Sequence, residues 1–378
     1  MRVGFDARWY NDSGVGAYVA GLLGAMAVVP RDFEFVVYEN PENQVPGLDG
    51  RRVVRVPVGA RRYSIAEHWE LGRRARQDKL DLFHSPFYVV PLLMSCPVVI
   101  TVHDLIPFLF RLYPRFKQWV VKTGYRIGAH RAQHVIADSE NTAQDVRRIL
   151  GVSRERITTI PLAASPAFTG RGQPEELVHL AEKHGVRPPY VVAASARNWR
   201  TKNLESALRA LELARAQSGM DFQTVVYGPL EGLNALGAPE RWQALNLLRL
   251  GWVDAADLAV LFRHAHAFVM PSFYEGFGLP VLEAMSCGCA VITSQGGSLA
   301  EIAGQGAQIF DPLDISGMAS SIANLLSNPE ELNRWKTSAL KRAADFSWDQ
   351  AASQTISVYY RTHEQSSCRS GGSERESR

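Results

Sequence analysis

Short apolar runs of three to six residues alternate along the chain with longer stretches in which apolar residues recur every three or four positions. The short runs predict strands and the longer stretches predict helices. In the first part of the chain the runs fall at 3–5, 33–38, 53–56, 82–84, 98–102 and 134–137, and the first helix is predicted to begin near Gly16. Strands and helices in alternation build a parallel sheet covered by helices on both faces. Residues 163–174 break the pattern with Pro166, Gly170, Gly172 and Pro174, and read as a linker. The alternation then restarts, with runs at 190–194, 222–227, 267–270, 290–293 and 308–310. The fold class is therefore α/β, with two doubly wound domains in tandem, at 1–168 and 175–345. A last helix follows Phe346 and is predicted to run to about Tyr360. Residues 364–378 are rich in Ser, Gly, Arg and Glu without apolar anchors, the composition of a disordered tail.

Composition narrows the class. A length of 378 residues suits two domains, and 46% hydrophobic with 21% charged residues is ordinary for a soluble globular chain. A net charge of +3 is too small to argue for a nucleic-acid partner. The N-terminus runs directly into a strand, so no signal peptide is expected. No uncharged apolar stretch of about 18 residues predicts a spanning helix. The four cysteines, Cys96, Cys287, Cys289 and Cys368, have neither zinc-site nor disulfide-framework spacing. Cys287 and Cys289 read as buried thiols, and a reducing, cytoplasmic compartment is expected.

Doubly wound sheets bind ligands outside the carboxyl ends of their strands, and the polar motifs of this chain fall just after predicted strands. Residues 271–283 follow one. Gly276 and Gly278 allow a sharp turn, and Pro280 suits a first helical turn, so the loop presents backbone N–H groups to a phosphate. Glu275 and Glu283 can each accept two hydroxyl hydrogen bonds, as a vicinal diol requires. Residues 194–203 carry Arg197 and Lys202, with Arg200 a competing candidate, as cations for a departing diphosphate. Asp12-Ser-Gly-Val-Gly-Ala17 places Gly14 and Gly16 between the first strand and first helix. Val19 stands where a dinucleotide-binding glycine fingerprint needs its third glycine. His103 and Asp104 end a strand and can meet sugar hydroxyls or handle a proton. Gly296-Gly-Ser-Leu-Ala-Glu301 is a further glycine turn, with Ser298 available to a phosphate. Each motif also has a bland reading, as a turn or a solvated loop.

Taken in order, these motifs resemble the retaining GT-B glycosyltransferases of family 4 over almost the whole chain. The most specific element is the pair Glu275 and Glu283 within Glu275-Gly-Phe-Gly-Leu-Pro280. Gly4-Phe-Asp-Ala-Arg8, Ser13-Gly-Val-Gly16, Val102-His-Asp-Leu-Ile-Pro107, Ala137-Asp-Ser-Glu140 and Phe346-Ser-Trp348 look like the bacterial mannosyltransferase branch. The resemblance implies a GT-B fold, two Rossmann-like domains facing across a cleft, with a C-terminal helix at 346–362 returning to the N-terminal, acceptor-side domain. It implies that Gly14 and Gly16 lie against donor diphosphate or acceptor, that His103 contacts the donor sugar, and that Arg197 and Lys202 bind the diphosphate. Glu275, with the backbone of Gly276, Phe277 and Gly278, would hold sugar hydroxyls; Glu283 would hold the ribose; Ser298 and Leu299 would lie near phosphates and ribose. The family's common Glu-Pro-Arg-Lys-Asn run is here Trp199-Arg-Thr-Lys-Asn203, and Ala300 replaces a frequent proline.

The expected reaction moves a hexose from a nucleotide diphosphate to a hydroxyl, with retention and without a metal or other cofactor. The mannosyltransferase-like features favour GDP-mannose as donor and a saccharide or lipid-linked saccharide of a surface polysaccharide as acceptor. Arg61, Arg62, Arg73, Arg74 and Arg76, interleaved with Tyr63, Ile65, Trp69 and Leu71, form a stretch that reads first as a solvated helix face covering the core and second as a peripheral contact with an anionic membrane. A UDP-sugar donor, a sugar-nucleotide epimerase, a nucleotide-dependent oxidoreductase and a non-catalytic sugar-nucleotide sensor are the rival readings.

Overall fold

The computed structural model describes residues 1–378 except 11, 30, 31, 49–51, 171, 197, 198, 238 and 374–378. The chain divides into two compact units, Met1–Ala163 with Ser347–Arg378, and Ala164–Phe346. Residues 164–168 fall in the second unit, where buried Phe168 lies 6.3 Å, centroid to centroid, from Phe262.

The first unit contains β1 (Arg2–Asp6), β2 (Glu34–Glu39), β3 (Val53–Pro57), β4 (Leu82–Ser85), β5 (Val98–Val102), β6 (His134–Ala137) and β7 (Ile157–Thr159). The second contains β8 (Tyr190–Ala194), β9 (Gln223–Tyr227), β10 (Leu247–Gly251), β11 (Ala267–Met270), β12 (Val291–Ser294) and β13 (Gln308–Phe310). The sheet orders are β3-β2-β1-β4-β5-β6-β7 and β10-β9-β8-β11-β12-β13, with every described pairing parallel. Both are Rossmann-like doubly wound sheets, whose strand order reverses between β1 and β4 and between β8 and β11. Ligands of such sheets bind at that reversal, beyond the strands' carboxyl ends.

Central strands are buried on both faces, which is why they appear in the sequence as unbroken apolar runs: Tyr190, Val191, Val192 and Ala193 are fully enclosed. The helix Leu204–Ser218 covers the second sheet with Leu204, Ala207, Leu208 and Leu211, one helical stripe. Truncating one such leucine costs about 2–5 kcal/mol.

Four features depart from the sequence pattern. Strands β7 and β10 were not predicted; both are edge strands with every residue only half-buried. The first helix spans Ser13–Val28, so Gly14 and Gly16 lie in its opening turns and not in a loop before it. Asp12, extended at φ −81° and ψ 142°, occupies the cap position. The last helix spans Trp348–Ser373, beyond the end of the apolar stripe near Tyr360, since no proline interrupts it. It packs on the uncharged helix Ser13–Val28, where Gly21 admits the Trp348 ring: a β-carbon there would lie 2.1 Å from it. Among the described residues no helix is long and apolar enough to cross a membrane.

Candidate functional site

In the second unit, the chain leaves β11 through a loop that enters the helix Leu279–Ser286 at Gly278, whose φ of +96° favours glycine. The turn after β12 lies directly against this loop. Glu275 and Gly297 form a parallel bridge, and the Ser298 N–H and Oγ–H both donate to the Glu275 carbonyl, at 3.0 and 3.1 Å. A β-carbon on Gly296 would lie 2.1 Å from the Ser272 carbonyl oxygen, and one on Gly297 2.3 Å from that of Glu275. The two glycine turns are thus packed backbone on backbone. The Ser298 hydroxyl thus fastens the Glu275 loop. Leu299, fully buried, packs beneath Gly278, with Cδ2 2.6 Å from where a β-carbon would stand. Phe277 turns its ring inward against Phe346, edge to face at 6.0 Å.

Beside this pair of turns the helix Trp199–Lys202 follows β8. The Lys202 ammonium lies 2.8 Å from Glu275 Oε1, and the two side chains are 20% and 11% exposed, so the pair is shielded yet reachable. Two fastenings fix it. The Phe273 N–H donates to the Thr201 carbonyl at 2.8 Å, and Asn203 Nδ2 donates to the carbonyls of Pro271 and Pro312 at 3.1 and 2.7 Å. Asn203 adopts a left-handed φ of +52°, which turns the chain from one helix into the next. Lys202 and Glu275 therefore meet at the β8/β11 reversal point, where a doubly wound sheet places its ligand. Arg197 lies outside the described residues, and its competitor Arg200 is exposed. Glu283 lies one turn into the following helix. Burial pushes its carboxyl up to about 7, with the Lys202 charge pulling the other way. The Tyr227 phenol is raised well above its ordinary value by burial and then by the charges of Glu283 and Glu275, which places all three in one neighbourhood.

The first unit gathers Gly14, Gly16 and His103 differently. Gly16 N–H donates to the Asp12 carbonyl at 2.6 Å, and a β-carbon on Gly16 would lie 2.2 Å from the Tyr10 carbonyl oxygen; Gly14 is exposed with open space around it. The same helix carries Tyr18, whose ring stands edge-on to His103 at 5.0 Å and whose hydroxyl pairs with Thr101 Oγ1 at 2.8 Å. Thr101 in turn meets His84 Nε2 at 2.9 Å, and His84 Nδ1 meets the Tyr359 hydroxyl of the last helix at 2.6 Å. Burial lowers the His84 value to about 3, so this ring is neutral and structural.

His103 has an acceptor at each ring nitrogen: Asp138 Oδ2 at 2.5 Å from Nδ1 and the Pro86 carbonyl at 2.8 Å from Nε2. A carbonyl can only accept, so Nε2 carries a proton. Burial works against a charged ring, but the Asp138 carboxylate and the Pro86 carbonyl outweigh it and the His103 pKa is raised. His103 is 14% exposed, and both of its ring nitrogens are engaged, so what it presents outward is a ring edge and not a free nitrogen. Asp138 and Asn203 stood within recognised sequence segments, but the groups they hold lie 35 and at least 68 residues away in the chain. Cys287 and Cys289 are buried, and burial raises both thiols to about 12, so they are inert packing groups. Among the described residues no group of three His, Cys, Asp or Glu side chains is placed to hold a metal ion.

Comparison with known proteins gives two family matches. Residues 13–168 match Glycosyltransferase Family 4, and residues 179–342 match Glycosyl transferases group 1. The chain is 27% identical over 373 residues to O-antigen chain mannosyltransferase B of Escherichia coli, covering 93% of this chain and 96% of that protein. It is 30% identical over 240 residues to MMP alpha-(1->4)-mannosyltransferase of Mycolicibacterium hassiacum, covering 61% of this chain and 54% of that protein. Among solved structures, Anabaena Alr3699/HepE in complex with UDP and glucose superposes with a TM-score of 0.74 at 18% identity, covering 95% of this chain and 99% of that one, a likeness of fold.

Proposed function

Because the chain is a glycosyltransferase of the GT-B, family 4 type, we propose that it transfers mannose from GDP-mannose, with retention, to a saccharide or lipid-linked saccharide in surface polysaccharide synthesis. The two mannosyltransferase relatives support the choice of sugar. The reaction is placed in the cytoplasm, at the inner face of the membrane where a lipid-linked acceptor is used. The observation that carries the reading is the shielded Lys202–Glu275 pair at the strand-order reversal, beside two interlocked glycine turns.

The bond between sugar C1 and the diphosphate oxygen breaks, and negative charge grows on the leaving phosphate. Lys202 is assigned to that charge, and arrival of the diphosphate draws its ammonium from Glu275. Glu275, so released, accepts hydrogen bonds from the sugar hydroxyls. Glu283 receives the ribose hydroxyls, which requires its ionised form. The acceptor oxygen joins C1 on the face the phosphate leaves, and its proton passes to the departing phosphate oxygen. A retaining hydrolase would instead hold two carboxylates across the bond, one as nucleophile; here both nearby carboxylates are assigned to hydroxyl groups. Ser298 and Leu299 shape the site from behind, and His103 is assigned a contact with the donor sugar through its ring edge.

The test is turnover of purified protein with GDP-mannose, UDP-glucose and UDP-GlcNAc, each with and without a mannose-terminated acceptor, followed by assignment of the new anomeric linkage. GDP-mannose is expected to give an α-linked, retained product. An inverted linkage overturns the mechanism, and preferred turnover of a UDP-sugar overturns the donor. Conversion of the donor sugar without acceptor points to an epimerase.

A further inference from the structure

The helix Arg115–Arg131 of the first unit has two apolar faces where a surface helix needs one. Its inner face, with Gln118, Tyr125, Gly128 and Ala129, is buried. Gly128 is tight against Tyr88, whose carbonyl oxygen leaves no room for a β-carbon. On the opposite side, at helical spacing, Phe116, Trp119, Val120 and Ile127 are 76%, 62%, 46% and 45% exposed. An exposed apolar stripe rimmed by polar residues marks an interaction face. Phe116 and Trp119 stack at 6.2 Å, so the stripe is a formed surface and not four scattered side chains.

Charge identifies what it meets. Residues 105–137 carry six Lys or Arg and no Asp or Glu, in a chain with 38 acids among 378 residues. The cations border the stripe. Lys122 and Arg126 each lie 5.4 Å from the Phe108 ring, and Arg111, Arg115 and Lys122 rim an open groove of about 460 Å³ beside Trp119. Aromatic and aliphatic residues facing outward between rows of cations match an anionic lipid surface, where rings enter the headgroup layer and cations meet phosphates. The stretch at 61–76 fits less well. Arg62 is ion-paired with Asp12 and lies over Trp9, Leu71 is buried, and the stretch carries Glu67 and Glu70.

We propose that the outer face of the helix Arg115–Arg131, with residues 108–111 beside it, docks the protein on an anionic lipid bilayer. This deepens the reading of a membrane-borne acceptor. Docking is measured without donor or acceptor, so the surface and that reading can fail separately.

The experiment is flotation of the full chain with vesicles of phosphatidylcholine alone and of equal phosphatidylcholine and phosphatidylglycerol, at low and high salt. The wild type is expected to float with the anionic vesicles at low salt and to lose most binding at high salt. Phe116→Ser/Trp119→Ser and Arg111→Gln/Arg115→Gln/Lys122→Gln are each expected to lose at least tenfold in binding with unchanged circular dichroism melts. Ile65→Ser/Trp69→Ser, at the other stretch, is expected to stay within about twofold. Failure of the wild type to float with anionic vesicles overturns the proposal, as does undiminished flotation of Phe116→Ser/Trp119→Ser. A wild-type dimer that this variant converts to monomer, with no lipid binding by either, assigns the stripe to a second copy and overturns it equally.

Discussion

Beyond β8 and β11 the second unit holds its polar groups in interlocked backbone, whereas beyond β1 and β5 the first unit holds its own in side-chain relays. In the second unit Gly296 and Gly297 touch the carbonyls of Ser272 and Glu275, and Lys202 is fixed by its neighbours Thr201 and Asn203. In the first, His103 is set by Asp138 and Pro86, and a chain of hydroxyls and a neutral histidine runs from Tyr18 to Tyr359. Backbone interlock leaves little freedom to vary; a relay can be retuned by one substitution. The difference predicts that substitutions in the interlocked turns cost more than substitutions along the relay.

The largest expected effect lies in the interlocked site. Glu275→Ala or Lys202→Ala should each lower transfer by about 10²–10³-fold, the scale of removing one stabilising group from a transition state. Each should leave the thermal midpoint within a few degrees. Near-normal turnover of either purified variant would remove the assignment.

Next, Gly297→Ala should destabilise the fold by about 2–4 kcal/mol, since φ is +63° and the new carbon meets a carbonyl oxygen at 2.3 Å. Gly14→Ala, in an opening helical turn with nothing within 4 Å, should lie within about 1 kcal/mol of wild type. Denaturant titration reads both, and equal costs would erase the contrast between the two regions.

The relay should respond more mildly. Asp138→Asn removes the charge that raises His103, so the imidazolium is lost at lower pH. Transfer is expected to fall by about tenfold with the alkaline limb of its pH profile moved down, the scale of one weakened hydrogen bond to a charged group. An unmoved profile would show that His103 is structural only.

Glu283 supplies a pH signature. Its carboxyl titrates at about 7 in the folded protein, against about 4.3 for an unperturbed glutamate. The unfolded chain therefore releases this proton first. The stability from this group is full below about 4.3 and is lost as pH rises through about 7. Binding runs the other way, because ribose hydroxyls need the ionised form. Donor KM should fall by about tenfold between pH 6 and 8 as the ionised fraction rises. In Glu283→Gln both the stability slope and the KM slope should flatten. An unchanged KM slope would take the ribose away from Glu283.

The sequence made the centre of each sheet legible and left its edges obscure. Tyr190–Ala194 and Val98–Val102 are enclosed on both faces and appear as continuous apolar runs. Ile157–Thr159 and Leu247–Gly251 are half in water, and the leucines of the second merge with the helical spacing of Trp242 and Leu245. At the candidate site, the segment with Glu275 and Glu283 stands out by its glycines and proline and the segment 194–203 by its cations, while the 2.8 Å contact between Lys202 and Glu275 comes from the fold. The use of Ser298 could not, because the fold selects its acceptor, the Glu275 carbonyl, from 23 residues earlier. The same holds for Asp138, whose role depends on a histidine brought to it by the pairing of β5 with β6. Pattern along the chain reveals groups that act through neighbours in sequence, and fold alone pairs the rest.

The most direct measurement is calorimetric binding of GDP and GDP-mannose to the wild type, Lys202→Ala and His103→Ala. The account predicts that Lys202→Ala weakens both ligands at least tenfold, while His103→Ala leaves GDP affinity within about threefold, a small cost on the scale of one charged hydrogen bond. Undiminished GDP binding by Lys202→Ala, with loss in His103→Ala, would place the diphosphate in the first unit and contradict it.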